Sequence, residues 1–291
     1  MADSDRFQRF VFEGLGIRGQ WVRLSSSWNA VLEQHPYPPV VAEQLGQALA
    51  AAVLLSATIK FRGSLILQAQ GDGPLQTLVA QATHRRTIRG LAHWRGEVQG
   101  RSFPELFGDA RLVMTLQREA ADPYQGIVAL TGANLAEAIG TYFARSEQLA
   151  TGLWLAADRH SAAGLLLQEL PSCHHLADDW ARLIGQAGTV TEGELLSLSG
   201  PTLLGRLFPG EAVRLFEPEP VVFSCRCSQA RIEDMLLALG REEIEPILGE
   251  RGVVEIDCEF CNRRYRFDEV DIGALFTPQE IKGLPPPTRL Q

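Results

Sequence analysis

Four cysteines in the last quarter of the chain are the residues best suited to chemistry. They form two close pairs, Cys225-x-Cys227 and Cys258-x-x-Cys261, with thirty residues between them. Thiolate sulfur is a preferred ligand of structural zinc, which takes four such ligands in a tetrahedron. The spacing therefore predicts one zinc ion per chain, held by all four sulfurs, with no coordination position left for a substrate water.

Short elements must present these two pairs. In an extended segment, residues i and i+2 share one face and lie about 6.6 Å apart, so Cys225 and Cys227 can point to the same site. The second pair is expected to flank a tight turn at the tip of a hairpin, with strands at 253–258 and 264–268. Asn262 follows that turn, and asparagine tolerates the left-handed backbone needed there.

Either pair could also close on itself under oxidant, because both spacings fit the Cα separation of a disulfide, up to about 6.8 Å. Such local disulfides stabilise a fold by only about 2 kcal/mol each. Structural zinc contributes roughly 10–16 kcal/mol. Exchanging metal for local disulfides is therefore predicted to unfold the C-terminal unit. Crossed disulfides would keep it tied together, and the spacing leaves all three pairings open.

Basic residues lie close to the cysteines in sequence: Arg226, Arg263, Arg264 and Arg266. They could partly offset the −2 charge of a zinc tetrathiolate and favour thiolate once the metal leaves. They could equally form a solvated face beside the hairpin. The sequence does not choose between these two interpretations.

The composition places the chain among ordinary globular proteins, with 45% hydrophobic and 21% charged residues over 291 positions. A net charge of −8 argues against a protein-wide surface for nucleic acid or for anionic membranes. The first 18 residues mix charges with isolated apolar residues and contain no export signal that we recognise. Together with clustered cysteines, this leads us to expect a reducing, cytoplasmic location.

Most of the chain is predicted to be α+β. The charge-free run Gln44–Ile59 is short for a bilayer span and predicts a buried helix over about 41–58. Asn134 has the spacing of a helix cap and predicts a helix to about 148. Strand patterns separated by turn residues predict a mainly antiparallel sheet with packed helices. The predicted strands lie at about 61–70, 75–82, 86–94, 111–117, 124–131, 152–157 and 163–169.

Three regions are expected along the chain. Residues 1–172 form the α+β domain, and residues 225–291 form the small metal-binding unit. Between them, residues 173–224 contain apolar residues at helical spacing that glycines interrupt repeatedly. Each interior glycine costs a helix about 1 kcal/mol against alanine, so these short helices should be marginal unless they dock on a neighbour.

No pattern typical of an enzyme active site is apparent. Gly71-Asp72-Gly73-Pro74 lacks the lysine of a phosphate-binding loop and is interpreted as a turn. The six histidines are scattered, and neither a Ser-His-Asp nor an HExxH pattern occurs. We expect no catalytic residues. Cys173-His174-His175 receives no role.

The cysteine pattern, together with segments in the rest of the chain, resembles the redox-regulated heat-shock chaperones of the thirty-three-kilodalton class. The order of these segments makes the resemblance specific and extends it over nearly the whole chain. The segments are Arg18-Gly19, Lys60-Phe61, Gln70–Pro74, Tyr124–Gly126, Tyr142–Leu149 and Ala163–Gln168.

This resemblance implies an ATP-independent holdase that binds unfolding proteins under oxidative stress. It implies an inactive, reduced state with zinc on Cys225, Cys227, Cys258 and Cys261. It further implies an oxidised state with disulfides Cys225–Cys227 and Cys258–Cys261, released zinc, an unfolded linker and an exposed surface for clients. Members of the class dimerise when activated. The residues that bind clients are not identified by the sequence.

Two alternative functions use some of the same residues, and a feature of the sequence argues against each. A zinc ribbon that binds nucleic acid would use Arg263, Arg264, Tyr265 and Arg266, but residues 225–291 carry 9 basic and 13 acidic side chains. A thiol-disulfide oxidoreductase would use Cys258-x-x-Cys261, but that motif normally begins a helix in a βαβ unit and here is expected at a hairpin tip. We therefore expect no nucleic-acid partner and no membrane partner.

Overall fold

The computed structural model describes residues 5–58, 62–119, 121–170 and 177–277. The chain divides into two compact units, Met1–Cys225 and Arg226–Gln291. The α+β class predicted from the sequence is confirmed. The finer division into domain, linker and metal-binding unit stays a prediction.

The described residues of the first unit form two six-stranded sheets. The strands of sheet 1 are β1 (Arg6–Phe12), β2 (Ile17–Leu24), β8 (Thr151–Ala157), β9 (Ala162–Glu169), β10 (Val213–Leu215) and β11 (Glu219–Pro220). The strands of sheet 2 are β3 (Gly63–Gly71), β4 (Leu75–Thr83), β5 (Thr87–Trp94), β6 (Ala110–Arg118), β7 (Ala121–Ala129) and β12 (Val222–Phe223). Sheet 1 has the order β10-β1-β2-β9-β8, with β11 also paired to β1, and sheet 2 has the order β12-β5-β4-β3-β6-β7. Both are antiparallel apart from the parallel pairing of β12 with β5.

Seven α-helices accompany these sheets in the described part of the first unit. They are α1 (Ser26–Leu32), α2 (Pro39–Ser56), α3 (Phe103–Phe107), α4 (Leu135–Tyr142), α5 (Ala177–Ala187), α6 (Glu192–Ser197) and α7 (Gly200–Leu207). A π-helical turn, Phe143–Glu147, follows α4 directly.

Helix α2 explains why the strands form two sheets. The sequence predicts one buried helix, and fifteen of its eighteen residues are buried. A helix that is apolar on all sides must be covered on more than one side, and a single sheet face covers only one. Helix α2 packs against strands of both sheets. It is the one helix in the described ranges long and apolar enough to cross a membrane, and 83% of its apolar window is buried inside the protein, as in a core helix.

Sheet 1 is covered on both faces. Neighbouring residues of β2, Trp21 and Val22, belong to different hydrophobic clusters, and so do Leu165 and Leu166 of β9. Val22 and Leu166 pack in the main core with α2, whereas Trp21 and Leu165 pack with residues of α5–α7. Seven of the eight residues of β9 are consequently buried, which explains its nearly continuous apolar run.

Some local elements differ from the sequence prediction. The hairpin of β1 and β2 was not predicted, although Phe7, Phe10 and Phe12 on β1 are all buried. The helix that the sequence predicts to reach about 148 ends as an α-helix at Tyr142 and continues as the π-helical turn. This turn ends at Gln148, which adopts a left-handed conformation with φ of 54°. The predicted cap is confirmed, since Asn134 Oδ1 accepts a hydrogen bond of 2.9 Å from the Glu137 N–H.

In residues 226–277, the described part of the second unit, the chain forms three helices and one hairpin. These elements are α8 (Gln229–Leu239), α9 (Arg241–Arg251), β13 (Val254–Asp257), β14 (Arg264–Phe267) and α10 (Glu269–Leu275). Pro246 lies inside α9, which continues through it. The carbonyl that a proline at this position leaves without a helical partner belongs to Glu242, which is exposed and can be solvated.

Candidate metal centre

The four predicted cysteines lie together in the structure. The sulfur atoms of Cys225, Cys227, Cys258 and Cys261 are all within 4.8 Å of one another. Cys227 Sγ and Cys261 Sγ are 3.4 Å apart, which is longer than a disulfide bond of about 2.05 Å. The two pairs, thirty residues apart in sequence, thus converge on one point.

These distances suit a tetrahedral metal. With zinc–sulfur bonds of about 2.3 Å, the sulfurs of a tetrathiolate are about 3.8 Å apart. The four sulfurs can reach this arrangement with small side-chain adjustments. All four cysteines are half-buried, so the site is shielded by protein while remaining accessible to a small oxidant. The cluster can hold one metal ion, and its all-sulfur donor set is compatible with zinc.

The second pair sits at the tip of the β13–β14 hairpin, as predicted. The carbonyl of Cys258 accepts hydrogen bonds from the N–H groups of Cys261, at 3.2 Å, and Asn262, at 2.7 Å. Asn262 adopts the left-handed conformation that the sequence predicted, with φ of 49°. The Cys258 N–H donates to the carbonyl of Arg263 at 3.0 Å and closes the turn. The backbone therefore turns both sulfurs toward the same side.

The first pair is not in a strand, which corrects the extended-strand expectation. Strand β12 ends at Phe223, and the segment from Ser224 to Ser228 has no regular secondary structure. Ser228 then caps α8 by accepting from the Arg231 N–H. Because β12 ends just before this short segment and α8 begins just after it, the segment can present Cys225 and Cys227 without pairing as a strand.

The second unit has a small hydrophobic core beside the cysteines. Six residues are buried in it, and Cys227 and Cys258 pack against them. The buried residues are Leu236, Ile244, Val254, Tyr265, Phe267 and Ile272. On α8, Leu236 is buried, while Met235 and Leu239 are 41% and 54% exposed. So small a core needs an additional constraint, which a metal at the cysteines would provide.

The arginines of the hairpin have separate roles. Arg264 makes two hydrogen bonds to Asp257, at 2.8 and 3.1 Å, and Arg266 lies 3.0 Å from Glu255. The hydrogen bond from Arg264 holds the pKa of Asp257 below its usual value. Arg263 is different, because the Tyr265 hydroxyl, and after it the side chains of Cys227 and Cys261, raise its pKa. Arg263 is thus an arginine whose charge acts on the cysteine cluster.

Helices α5–α7 lie within the region that the sequence assigned to a linker, and they cover the outer face of sheet 1. Leu183, Leu195, Leu203 and Leu207 are at most 2% exposed. They pack with aromatic and aliphatic side chains of the strands in one cluster. The strand residues of this cluster are Phe10, Phe12, Ile17, Trp21, Ala156, Ala163, Leu165 and Leu167.

A polar cluster that was not predicted joins α6 to α7. Thr191 and Glu194 form a capping box, with the Thr191 N–H 3.0 Å from Glu194 Oε2. Arg206 of α7 donates to both carboxylate oxygens of Glu194, at 2.7 and 2.6 Å, and to Thr189 Oγ1 at 2.7 Å. The spacing Thr-x-x-Glu before an apolar stretch is the sequence signal that would have identified this cap.

Two segments noted in the sequence, Cys173-His174-His175 and Lys60-Phe61, lie outside the described residues. Gly71–Pro74 forms the turn between β3 and β4, where the Gly73 N–H donates to the carbonyl of Phe107 at 3.0 Å.

Known proteins are similar to this chain over most of its length. The family model described as "Hsp33 protein" matches residues 5–268. The 33 kDa chaperonin of Nitrosococcus oceani is 61% identical over 279 residues and covers 96% of each chain. That of Pseudomonas paraeruginosa is 45% identical, covering 97% of this chain and 98% of the relative.

A solved structure has the same fold. The crystal structure of the 33 kDa chaperonin from Thermotoga maritima superposes with a TM-score of 0.82 at 22% identity, covering 93% of this chain and 97% of the other. The match of the family model and of the relatives extends through both cysteine pairs. The resemblance seen in the sequence is therefore confirmed, and this chain belongs to the Hsp33 protein family.

Proposed function

We propose that this chain is a redox-regulated, ATP-independent holdase that binds unfolding proteins under oxidative stress. The observation that carries the proposal is the convergence of four cysteine sulfurs within 4.8 Å in a unit whose described residues, 226–277, have a core of six buried side chains. Membership of a family whose relatives are named chaperonins supports the chaperone role. The proposed role is binding rather than catalysis.

In the reduced state, Cys225, Cys227, Cys258 and Cys261 hold one zinc ion. Bound zinc supplies a structural crosslink worth roughly 10–16 kcal/mol in modules of this kind. Arg263 offsets part of the negative charge of the thiolates. The second unit is then folded, and the chaperone is inactive.

Oxidation converts each cysteine pair to a disulfide, Cys225–Cys227 and Cys258–Cys261. With peroxide as oxidant, four thiolates lose four electrons, and two peroxide molecules take up these electrons with four protons to give four waters. The thiolate ligands are consumed and the ion is released. Two disulfides that close such short loops restore only about 2 kcal/mol each, so the second unit unfolds.

Unfolding then extends to the linker, residues 173–224, and uncovers a client surface. Helices α5–α7 are short, contain glycines and depend on their contacts with sheet 1. Their release would expose the outer face of sheet 1, with Phe10, Phe12 and Trp21, and the leucines of the helices themselves. Contiguous apolar surface of this kind binds the nonpolar side chains of unfolded chains.

The proposal includes a cytoplasmic location, where thiols are kept reduced until stress, and a homodimer as the activated form. Neither nucleic acid nor membrane is a proposed partner. The pairing of Arg264 and Arg266 with Asp257 and Glu255 supports this view, since it neutralises side chains that a nucleic-acid ribbon would direct to phosphate.

The test compares reduced, zinc-loaded protein with peroxide-treated protein in suppressing aggregation of a heat-denatured reporter enzyme. Released zinc, remaining thiols and disulfide connectivity are measured on the same samples. We expect activity to appear together with loss of four thiols and release of one zinc per chain. A Cys258→Ser/Cys261→Ser variant should lose zinc and no longer respond to peroxide. Equal activity of the reduced and oxidised protein, or zinc retained after oxidation, would overturn the proposal.

A further inference from the structure

A cavity of about 370 Å³ in the first unit has no part in the proposed switch. It is bordered by β2, β6, β7, β9 and the π-helical turn that follows α4. Its apolar wall includes Met114, Leu116 and Phe143, and Arg18, Arg118 and Glu147 supply its charges. This volume lies in the lower part of the range for small-molecule sites.

Arg18 is the central charged group of the cavity. Its Nη2 donates to the carbonyl of Thr58 at 3.2 Å and also to the Gln168 side chain. Both acceptors are neutral, and the Nε–H is buried with no hydrogen-bond partner among the described residues. Burial lowers the pKa of Arg18, and no carboxylate in the described ranges opposes that effect. The guanidinium is thus a half-buried cation without an anionic partner in the part of the chain that the structure describes.

The other charged groups of the cavity determine the charge of the ligand that it can bind. Arg118 is exposed at the end of β6 and adds a second positive charge. The carboxylate of Glu147 accepts a hydrogen bond of 3.1 Å from the Tyr142 hydroxyl. Burial, and then Glu147, raise the pKa of Tyr142, so this hydroxyl stays protonated as a donor to Glu147. Among the described residues that line the cavity, two arginines and one glutamate leave a net charge of +1 for a ligand to balance.

The backbone around the cavity departs from regular geometry. Phe143–Glu147 form a π-helical turn, and Gln148 has a left-handed φ of 54°. π-Helical turns and positive φ at non-glycine residues cost energy and are frequent at functional sites. Opposite this turn, Gly126 of β7 lets the Tyr142 ring approach, because a Cβ at that position would lie 2.5 Å from the Tyr142 hydroxyl oxygen. The cavity wall is therefore shaped by features that a simple core would not require.

We propose that this cavity binds a small organic monocarboxylate with an apolar body. The carboxylate would lie between Arg18 and Arg118, where a planar anion can accept the hydrogen bonds that guanidinium groups offer. The apolar body would pack against Met114, Leu116 and Phe143. The site is independent of the cysteine switch and is available in the reduced protein.

The first experiment uses phenylacetate as the probe and phenylacetamide, its uncharged analogue, as the control. Binding to reduced, zinc-loaded full-length protein is measured by isothermal titration calorimetry at pH 7. We expect one phenylacetate per chain and at least about tenfold weaker binding of the amide, since hydrogen bonds to a charged group are the stronger ones. No phenylacetate binding up to 10 mM, or equal binding of the two compounds, would overturn the proposal.

Two arginines on the same strand provide a matched pair of variants. Arg118 lines the cavity. Arg111 is also exposed on β6 but does not line the cavity. Arg118→Ser is expected to weaken phenylacetate binding about tenfold, and Arg111→Ser to leave it unchanged. Equal effects of the two substitutions would indicate general charge attraction and contradict a specific site.

Arg18→Gln tests the central cation and is accompanied by circular dichroism to verify folding. A folded variant that binds phenylacetate as tightly as the parent chain would also refute the proposal. If the variant does not fold, the Arg118 and Arg111 pair decides the question alone.

Discussion

Glu194 ties together two of the helices that cover sheet 1. Its carboxylate closes the capping box with Thr191 and accepts two hydrogen bonds from Arg206 on the next helix. The backbone and side chain of Thr191, and after them Arg206, hold the pKa of Glu194 below its usual value of 4.5. A lowered pKa in the folded state means that ionised Glu194 stabilises these helices above pH 4.5 and that this contribution disappears as the pH falls through the lowered value.

We expect Glu194→Gln to loosen α6 and α7 at neutral pH. Amide hydrogen exchange across 189–207 should be faster in the variant at pH 6, and the difference from the parent chain should vanish under acid conditions well below pH 4.5, where Glu194 is protonated. Glu217→Gln is the matched control, because Glu217 is exposed in the same region and forms no ion pair in the described ranges. A difference that persists unchanged in acid would contradict the role assigned to this carboxylate.

Individual residues were predictable from sequence where local chemistry decides their conformation. Asn134 as a helix cap and Asn262 as a left-handed turn residue depend on near neighbours alone. The conformation around Cys225 was not predictable, because β12 ends two residues earlier through pairing with β5, which is more than a hundred residues away in sequence. The partners of Arg264 and Arg266 likewise depend on the register of the hairpin.

At the scale of elements, the glycines of the covering helices set how readily those helices unfold. A Cβ added at Gly193 of α6 or Gly205 of α7 would meet no atom within 4 Å, and neither residue needs a positive φ. Alanine at these positions can therefore stabilise both helices without disturbing their contacts.

We predict that Gly193→Ala combined with Gly205→Ala slows activation by peroxide. Each substitution should stabilise its helix by about 1 kcal/mol, so the two together add about 2 kcal/mol. If unfolding of these helices limits the rate of activation, that rate should fall by at most about 30-fold. The measurement is the time course of aggregation suppression after peroxide addition. An unchanged time course would count against the linker mechanism.

Gly200→Ala is the control for this pair. A Cβ at Gly200 would lie 2.9 Å from the Trp21 ring and 3.1 Å from Gln8 Oε1, so the gain in helix propensity is opposed by a clash with sheet 1. This substitution should not slow activation. If Gly200→Ala slowed activation as much as the double variant does, the rate of activation would not depend on how well these helices dock on sheet 1.

The elements themselves were largely predictable, but their arrangement was not. Helix α2 and most strands lie within a few residues of their expected positions, since each depends on its own apolar period. The division of the strands into two sheets was not predicted, because it depends on which strands pair across long separations, as β2 does with β9. The β1–β2 hairpin was not predicted either, although β1 buries phenylalanines on both of its faces.

At the scale of the whole molecule, the two units differ in what stabilises them. The first unit has a large core built around α2, whereas the described residues of the second have a core of six buried side chains and the cysteine cluster. The stability of the second unit should therefore depend on metal far more than that of the first.

We expect removal of zinc from the reduced protein by a strong chelator to unfold α8–α10 and the β13–β14 hairpin. Helical circular dichroism should fall, and amide protons of residues 229–275 should lose protection, while those of α2 stay protected. Addition of zinc should restore the signals. A second unit that stayed as protected and as heat-resistant without metal would refute the central role given to the ion.

The separation of the two hydrophobic clusters on sheet 1 has a consequence for recovery after stress. The residues of α5–α7 belong to the cluster on the outer face, and the main core around α2 contains none of them in the described ranges. If the helices are released, the strands that they covered remain held from the other side. For the first unit, return to the resting form would then be a local re-docking on strands that never unfolded, whereas the second unit would refold around newly bound zinc once its disulfides are reduced. The first unit could therefore go through repeated cycles of helix release without ever being fully denatured.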